Sequence, residues 1–421
     1  MDYTRFFAKR ATRRKGNLIR QLTEMRSTHP QAISMAGGMP NSDTFPFKEM
    51  SITYAGDMCT KLSGTDLNDA LQYGPAQGHL PLVKKYRDFQ QKWHAPPCKD
   101  WEVTFMTGSQ DGFCKVLDLV LEEGEPIMVQ IPTYTAILGA VRTLAPDFIG
   151  IRQDADGIIP EEIEKACDER VRKNQPLPKL LYVNPIGANP TGAMLTYRRK
   201  QRVYELAKKY DFLIVEDDAY CFIHFVDKPP ASFLSLDTDG RVIRLDSFSK
   251  IISAGLRLGV VTANQAIIKP LRIHVENSVL QPSSLSQMLI YKLFENWSDE
   301  RFEQHFKEIQ SFYRQRRDIM LAAVEKHLTG LAEWSVPKGG MFVWVKLTTI
   351  ENVLDLTMEK FVPNGVFVIP GNAFNYNGSL PDRHLRLSYS FASPDEVEKG
   401  LSIIARIIRE ETAKPGAVRV H

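Results

Sequence analysis

The chain has 421 residues, 43% hydrophobic and 24% charged, which is too long for one simple core and ordinary for a soluble enzyme of two or three domains. A net charge of +3 with scattered basic residues excludes a nucleic-acid footprint, and no apolar run approaches the ~20 residues that span a bilayer. The five cysteines, Cys59, Cys98, Cys114, Cys167 and Cys221, are odd in number and widely spaced without Cys-x-x-Cys. That excludes a disulfide framework and a structural zinc site, and it fits a reducing compartment.

The first twenty residues carry seven basic side chains, from Arg5 to Arg20, against the single acid Asp2. Such a segment reads either as a mitochondrial presequence or as a basic arm packed on the folded body. No apolar stretch of a secretory signal follows it, so a mitochondrial or cytoplasmic protein is expected, not a secreted one. Further on, strands are expected at Glu102 to Thr107, Pro126 to Ile131, Lys179 to Val183, Phe212 to Val215, Val242 to Leu245 and Leu258 to Thr262. Helices are expected at Gln110 to Leu121 after a turn at Gly108-Ser109-Gln110, and at Thr196 to Tyr210 with Thr196 as cap. Short apolar runs alternating with helices predict an α/β domain whose mostly parallel sheet is covered by helices on both faces.

The pattern changes beyond about residue 290. A long helix over Glu300 to Thr329 precedes strands at Gly340 to Val345, Val366 to Ile369 and Leu385 to Tyr389, a helix near Val353 to Phe361, and a last helix from Pro394. This predicts a smaller α+β domain. The expected division is an arm at 1–45 that contributes to the small domain, a large domain at 46–292 and the small domain at 293–421.

Familiar short motifs are missing. There is no G-x-G-x-x-G, no G-x-x-x-x-G-K-[ST] and no H-E-x-x-H, and the nine histidines show no metal-ligand spacing. In Gly108-Ser109-Gln110-Asp111-Gly112 the serine stands one place too early for a nucleophile elbow. Dehydrogenases, NTPases, metallohydrolases and serine hydrolases lose ground accordingly.

Four polar segments each follow an expected strand: Asn189-Pro190-Thr191-Gly192, Asp217-Asp218-Ala219-Tyr220, Asp246-Ser247-Phe248-Ser249-Lys250 and Gly255-Leu256-Arg257. Ligands of open α/β sheets sit at the carboxyl ends of strands, where these segments would converge. Alone, each has a plainer reading: Lys250 or Arg257 as a surface charge, Asp217, Ser109 and Gln110 as helix caps, Asn189-Pro190 as a turn. Together they supply what a pyridoxal 5'-phosphate site needs. Lys250 offers an amine for the Schiff base, and Asp217 an acid to pair with the ring nitrogen. Tyr220 and Asn189 offer donors to the ring oxygen. Ser109, Gln110, Ser247, Ser249 and Arg257 offer donors and charge for the phosphate.

In this order and spacing, with Arg257 seven residues beyond Lys250, the chain resembles the fold-type I aminotransferases of class I and II. Met35 to Asn41, Leu71-Gln72-Tyr73, Gly330 to Trp334, Ile369 to Phe374 and the Asp2 to Phe6 start resemble the kynurenine/α-aminoadipate subgroup in particular. The resemblance implies that Tyr134 joins Lys250 and Asp217 in catalysis by stacking on the cofactor ring. It implies that Tyr73 reaches the phosphate of a neighbouring subunit, hence a homodimer. It implies that Arg386 grips the substrate carboxylate, while Arg20, Gly38, Tyr73, Tyr134 and Asn189 line the substrate side. Ala188 and Ala219 stand where Asn and Pro are frequent, which leaves the catalytic groups intact and the substrate less defined.

The expected reaction moves the amino group of an L-amino acid, such as 2-aminoadipate, kynurenine or an aromatic amino acid, to 2-oxoglutarate in a ping-pong sequence. The alternatives are another reaction of the same cofactor, such as a lyase, or a ligand sensor built on the same domain.

Overall fold

A computed structural model describes residues 1–25, 31, 33, 35, 38–56 and 58–413. Ala36 and Gly37, which carry part of the expected resemblance, lie outside the described residues. The strands in chain order are β1 (Met50–Thr53), β2 (Cys59–Leu62), β3 (Trp101–Met106), β4 (Pro126–Ile131), β5 (Asp147–Asp154), β6 (Gly157–Ile158) and β7 (Leu180–Val183). They continue with β8 (Leu213–Asp217), β9 (Val242–Ser247), β10 (Gly259–Asn264), β11 (Ala332–Trp334), β12 (Phe342–Leu347), β13 (Ile369–Pro370) and β14 (His384–Ser388). Eight of them form one mostly parallel sheet in the order β3-β10-β9-β8-β7-β4-β5-β6, a second sheet runs β11-β12-β14-β13, and β1 pairs with β2. The α/β class expected from the sequence is the one observed.

Contacts divide the chain into two compact units, Met1–Glu122 with Phe233–Glu303, and Glu123–Ser232 with Gln304–His421. In the first unit β10 runs antiparallel to both β3 and β9 within the mostly parallel sheet. Its register places Gly259, the first residue of β10, opposite both Met106 and Ser247, the last residues of β3 and β9. The carboxyl ends of those two strands therefore meet at one edge. Phe105, Val260, Leu82, Tyr86 and Ile290 pack into a buried cluster beneath them, each contributing roughly 1.5–3 kcal/mol by leaving water.

The N-terminal arm belongs to this unit. Phe6 and Ala8 are fully buried, the Ala8 amide donates to the Leu119 carbonyl at 2.8 Å, and Arg10 Nε pairs with Asp118 at 2.5 Å. Of the two expectations for the basic segment, packing on the folded body is the one its contacts display.

In the second unit β4, β5, β7 and β8 run parallel. Every residue of β7 and of β8 is buried, which is why Leu180 to Val183 and Leu213 to Val215 read as continuous apolar runs where a half-exposed strand would alternate, and β8 closes on the buried acids Glu216 and Asp217. The polar helix Tyr197–Tyr210 turns Val203, Leu206 and Ala207 inward. Thr196 stands at its N-cap as expected, but the side chain makes no capping bond. The region near Val353 to Phe361 is a four-residue α-turn, Val353–Leu356, continued by a π-turn, Thr357–Phe361. The strand expected at Val366 to Ile369 shrinks to Ile369–Pro370. The last helix, Pro394–Thr412, opens on a complete capping box between Ser393 and Glu396.

Candidate functional site

The site residues of the first unit collect where β3 and β9 end. The helix Ser109–Val120 begins there, and Gly108 at its N-cap supplies no side-chain cap. The amides of the first turn are thus left as donors carrying the positive end of the helix dipole. Two glycines let the backbone close up. A Cβ on Gly108, whose φ is +86°, would stand 2.5 Å from an Nη of Arg257, and one on Gly259 would stand 2.5 Å from the Ser109 nitrogen. Arg257 itself is left-handed at φ 48° and donates to Ser249 Oγ at 3.2 Å, while the Ser249 amide donates to Ser247 Oγ at 3.2 Å. A guanidinium, two hydroxyls and an open helix start form a donor set that suits a phosphate dianion. Lys250 follows Ser249 directly and is half-buried.

Gln110, in the same first turn, donates to Cys114 Sγ at 3.9 Å. Tyr73 follows the helix Gly64–Leu71 and is half exposed. The Arg20 guanidinium lies 5.8 Å from the Tyr73 ring centre and donates to the Gly74 carbonyl at 3.2 Å and Gln281 Oε1 at 2.8 Å. Gly38 is exposed with open space around it.

In the second unit the carboxyl ends of β4, β7 and β8 carry the other residues. Register pairs Val183 with Glu216, so Asn184 and Asp217 stand side by side. Asp217 is buried and its Oδ2 accepts from the Tyr182 hydroxyl at 2.7 Å. Burial, then the Asp217 charge, hold the Tyr182 phenol well above its ordinary value, so it is a neutral donor. Tyr220, three residues beyond β8, is buried and raised by the same two causes.

Arg386, on β14, lies over Phe342 at 4.2 Å and Phe374 at 5.1 Å and donates from an Nη to Asn189 Oδ1 at 2.9 Å. That bond leaves the Asn189 amide NH2 as the outward donor. Burial lowers the pKa of Arg386, and Tyr220 and Tyr134 act against that shift. Its Nε is buried and has no hydrogen-bond partner among the described residues, and a guanidinium N–H of this kind suits a carboxylate. Tyr134 stands three residues past β4, on a loop held where the Thr133 amide donates to the Phe374 carbonyl at 2.9 Å.

Sequence reasoning passed over Tyr182, Asn184, Phe342 and Phe374. Tyr182 did carry a signal, since a tyrosine inside a buried apolar run must find a partner for its hydroxyl. Asn184 carried a weaker one, as a polar residue directly after such a run. The two rings flanking Arg386 come from separate segments and left no local pattern.

The family model described as aminotransferase class I and II matches residues 61–404. The mitochondrial kynurenine/alpha-aminoadipate aminotransferase of Bos taurus is 39% identical, covering 97% of this chain and 100% of its own. Aromatic-amino-acid aminotransferase 1 of Thermococcus litoralis is 31% identical over 98% of this chain and 96% of its own. Among solved structures, the aminotransferase Aro8 of Candida albicans superposes with a TM-score of 0.86 at 25% identity, covering 98% of this chain and 99% of its own. A Pyrococcus horikoshii kynurenine aminotransferase, solved with PMP, KYN and KYA, gives 0.78 at 30% identity with the same coverage.

Proposed function

The chain belongs to the class I and II aminotransferases and is an aminotransferase, and from that premise we propose that pyridoxal 5'-phosphate is its cofactor. The amino donor would be L-2-aminoadipate, L-kynurenine or another aromatic amino acid, and the acceptor 2-oxoglutarate. The observation that carries the cofactor is the donor set of Ser109, Ser247, Ser249 and Arg257, in which Ser249 directly precedes Lys250 and hydrogen bonds among the last three bring donors to a phosphate together. The relatives' printed activities support the substrates.

When bound, pyridoxal phosphate supplies an aldehyde for amines and a ring that takes up the electron pair of the substrate Cα–H bond. Lys250 would hold the cofactor through its Nζ, and that amine is the group placed to carry the proton from the substrate Cα. Asp217 would pair with the ring nitrogen, and the Tyr182 hydroxyl holds that carboxylate in place by donating to its Oδ2. Asn189 and Tyr220 would donate to the ring oxygen, and Tyr134 would stack on the ring. Gln110 adds to the phosphate donors. Arg386 grips the substrate α-carboxylate, and its fork suits a planar anion better than a lysine would. Arg20 and Gly38 flank the substrate side chain.

The proposal extends to a homodimer in which Tyr73 serves the phosphate of the other copy, consistent with its half-exposed ring. It retains the domain division at 1–45, 46–292 and 293–421, and a mitochondrial or cytoplasmic location. Steady-state kinetics with both substrates varied test the reaction. Parallel double-reciprocal lines are expected of a ping-pong sequence, and intersecting lines would contradict it.

A further inference from the structure

Asn184 is 5% exposed and is held at three points. Its Nδ2 donates to the Asp217 carbonyl at 2.6 Å, its Oδ1 accepts from the Asn189 amide at 2.8 Å, and its own amide donates to Gln130 Oε1 at 2.8 Å. The chemistry of the partners fixes which way the carboxamide lies. A main-chain carbonyl can only accept and a main-chain N–H can only donate, so Oδ1 and Nδ2 cannot be exchanged without losing both bonds.

Each of those main-chain groups belongs to a residue with work to do. The Asp217 side chain takes the Tyr182 proton donor on Oδ2, and the Asn189 side chain holds Arg386 through its Oδ1 at 2.9 Å. One continuous chain of hydrogen bonds therefore runs from Tyr182 through Asp217, Asn184 and Asn189 to Arg386. We propose that Asn184 is a positioning residue for transamination. One carboxamide sets the distance between the acid at the end of β8 and the asparagine–arginine pair that receives the substrate carboxylate.

The inference rests on the cofactor and substrate roles proposed above. Asn184 touches neither ligand in that scheme and acts only through the backbone of its two neighbours. The residue type follows from the task. A planar fork with one donor and one acceptor is needed. Aspartate of the same shape would set an oxygen against the Asp217 carbonyl, and leucine would leave both buried main-chain groups unpaired. Gln130 completes the clamp from β4, so the residue that spans β7 and β8 is itself fixed from a third strand.

The test compares Asn184→Asp and Asn184→Leu with Val183→Ala in the loaded enzyme. Val183 is a buried β7 neighbour outside the network, so its truncation measures the effect of lost packing alone. Melting temperature, the dissociation constant of pyridoxal phosphate, and kcat and KM for the amino acid are read for each. A misplacement on the ångström scale lowers kcat/KM roughly 10- to 100-fold. That loss is expected in Asn184→Asp, together with weaker cofactor retention and a raised KM, and it should exceed the loss in Val183→Ala at an equal or larger fall in melting temperature. Asn184→Leu should be worse than Asn184→Asp, and if it does not fold, the isosteric aspartate variant decides. Asn184→Asp kinetics and cofactor retention equal to those of Val183→Ala would overturn the inference while leaving the cofactor assignment standing. A wild-type protein that takes up no pyridoxal phosphate would overturn both.

Discussion

Arg386 shows how much of a functional residue is set by what lies around it. Two rings from β12 and the segment after β13 enclose its guanidinium, Asn189 holds one Nη, and Nε is buried without a hydrogen-bond partner among the described residues. A lysine there keeps the charge but loses the fork and the flat stack. Arg386→Lys should lower kcat/KM by about 2–4 kcal/mol, roughly 30- to 1,000-fold, mostly through KM for the amino acid. Steady-state kinetics with one amino acid would show it, and an unchanged KM would mean that another group holds the carboxylate. Lys250→Ala should reduce turnover by at least ~10²–10⁴-fold, the usual contribution of a positioned proton carrier. A variant that still turns over at the wild-type rate would remove Lys250 from the chemistry. Lys250, Asp217, Asn189, Tyr220 and Arg257 could be singled out from residue type and spacing, and Arg386 from the family resemblance alone. Tyr182 and Asn184 could not, because a buried hydrogen bond across neighbouring strands leaves no trace until the register is known.

Among the elements, the strands with continuous apolar runs were the most legible. Pro126 to Ile131 was placed without error, and the runs near 180, 213 and 242 within a few residues. β5 escaped notice because Asp147, Arg152 and Asp154 break its pattern, as its mixed burial reflects. The antiparallel run of β10 was equally hidden, since strand direction is set by the connections and not by the strand's own residues. The N-terminal arm was left between two readings by composition alone, and in the structure Phe6 and Ala8 are buried against the folded body. Phe6→Ala should cost about 3–5 kcal/mol, as for other large cavities in cores, and it should lower the urea midpoint. An unchanged midpoint would mean that the arm adds nothing to the packed body. At the other end of the chain, Ser393→Ala should cost about 1 kcal/mol by removing the capping box. Faster amide exchange confined to the first turn of Pro394–Thr412 would be its mark.

For the whole molecule, three histidines tie stability to pH. Burial is the leading cause that lowers His79, His224 and His274 below the ordinary 6.5, and at His274 the nearby Arg14 and Lys115 add to it despite the contact with Asp118. The native chain therefore binds these protons more weakly than the unfolded chain does. Stability is full above 6.5 and falls as pH drops through the window below it. The urea midpoint should decline from neutral pH to about pH 5, and a flat profile over that range would contradict the burial of these rings as neutral groups. None of this could be read from sequence, where a histidine carries no sign of its burial.

The family, by contrast, was plain in four short polar segments, because the chemistry of one cofactor fixes residue types at many separate strand ends. That cofactor is also what the absorbance spectrum of the purified protein tests most directly. A visible imine band should convert to the pyridoxamine form on adding L-2-aminoadipate or L-kynurenine and return with 2-oxoglutarate. A protein that stays colourless after incubation with pyridoxal phosphate would contradict the cofactor, the role of Lys250 and the proposed reaction together.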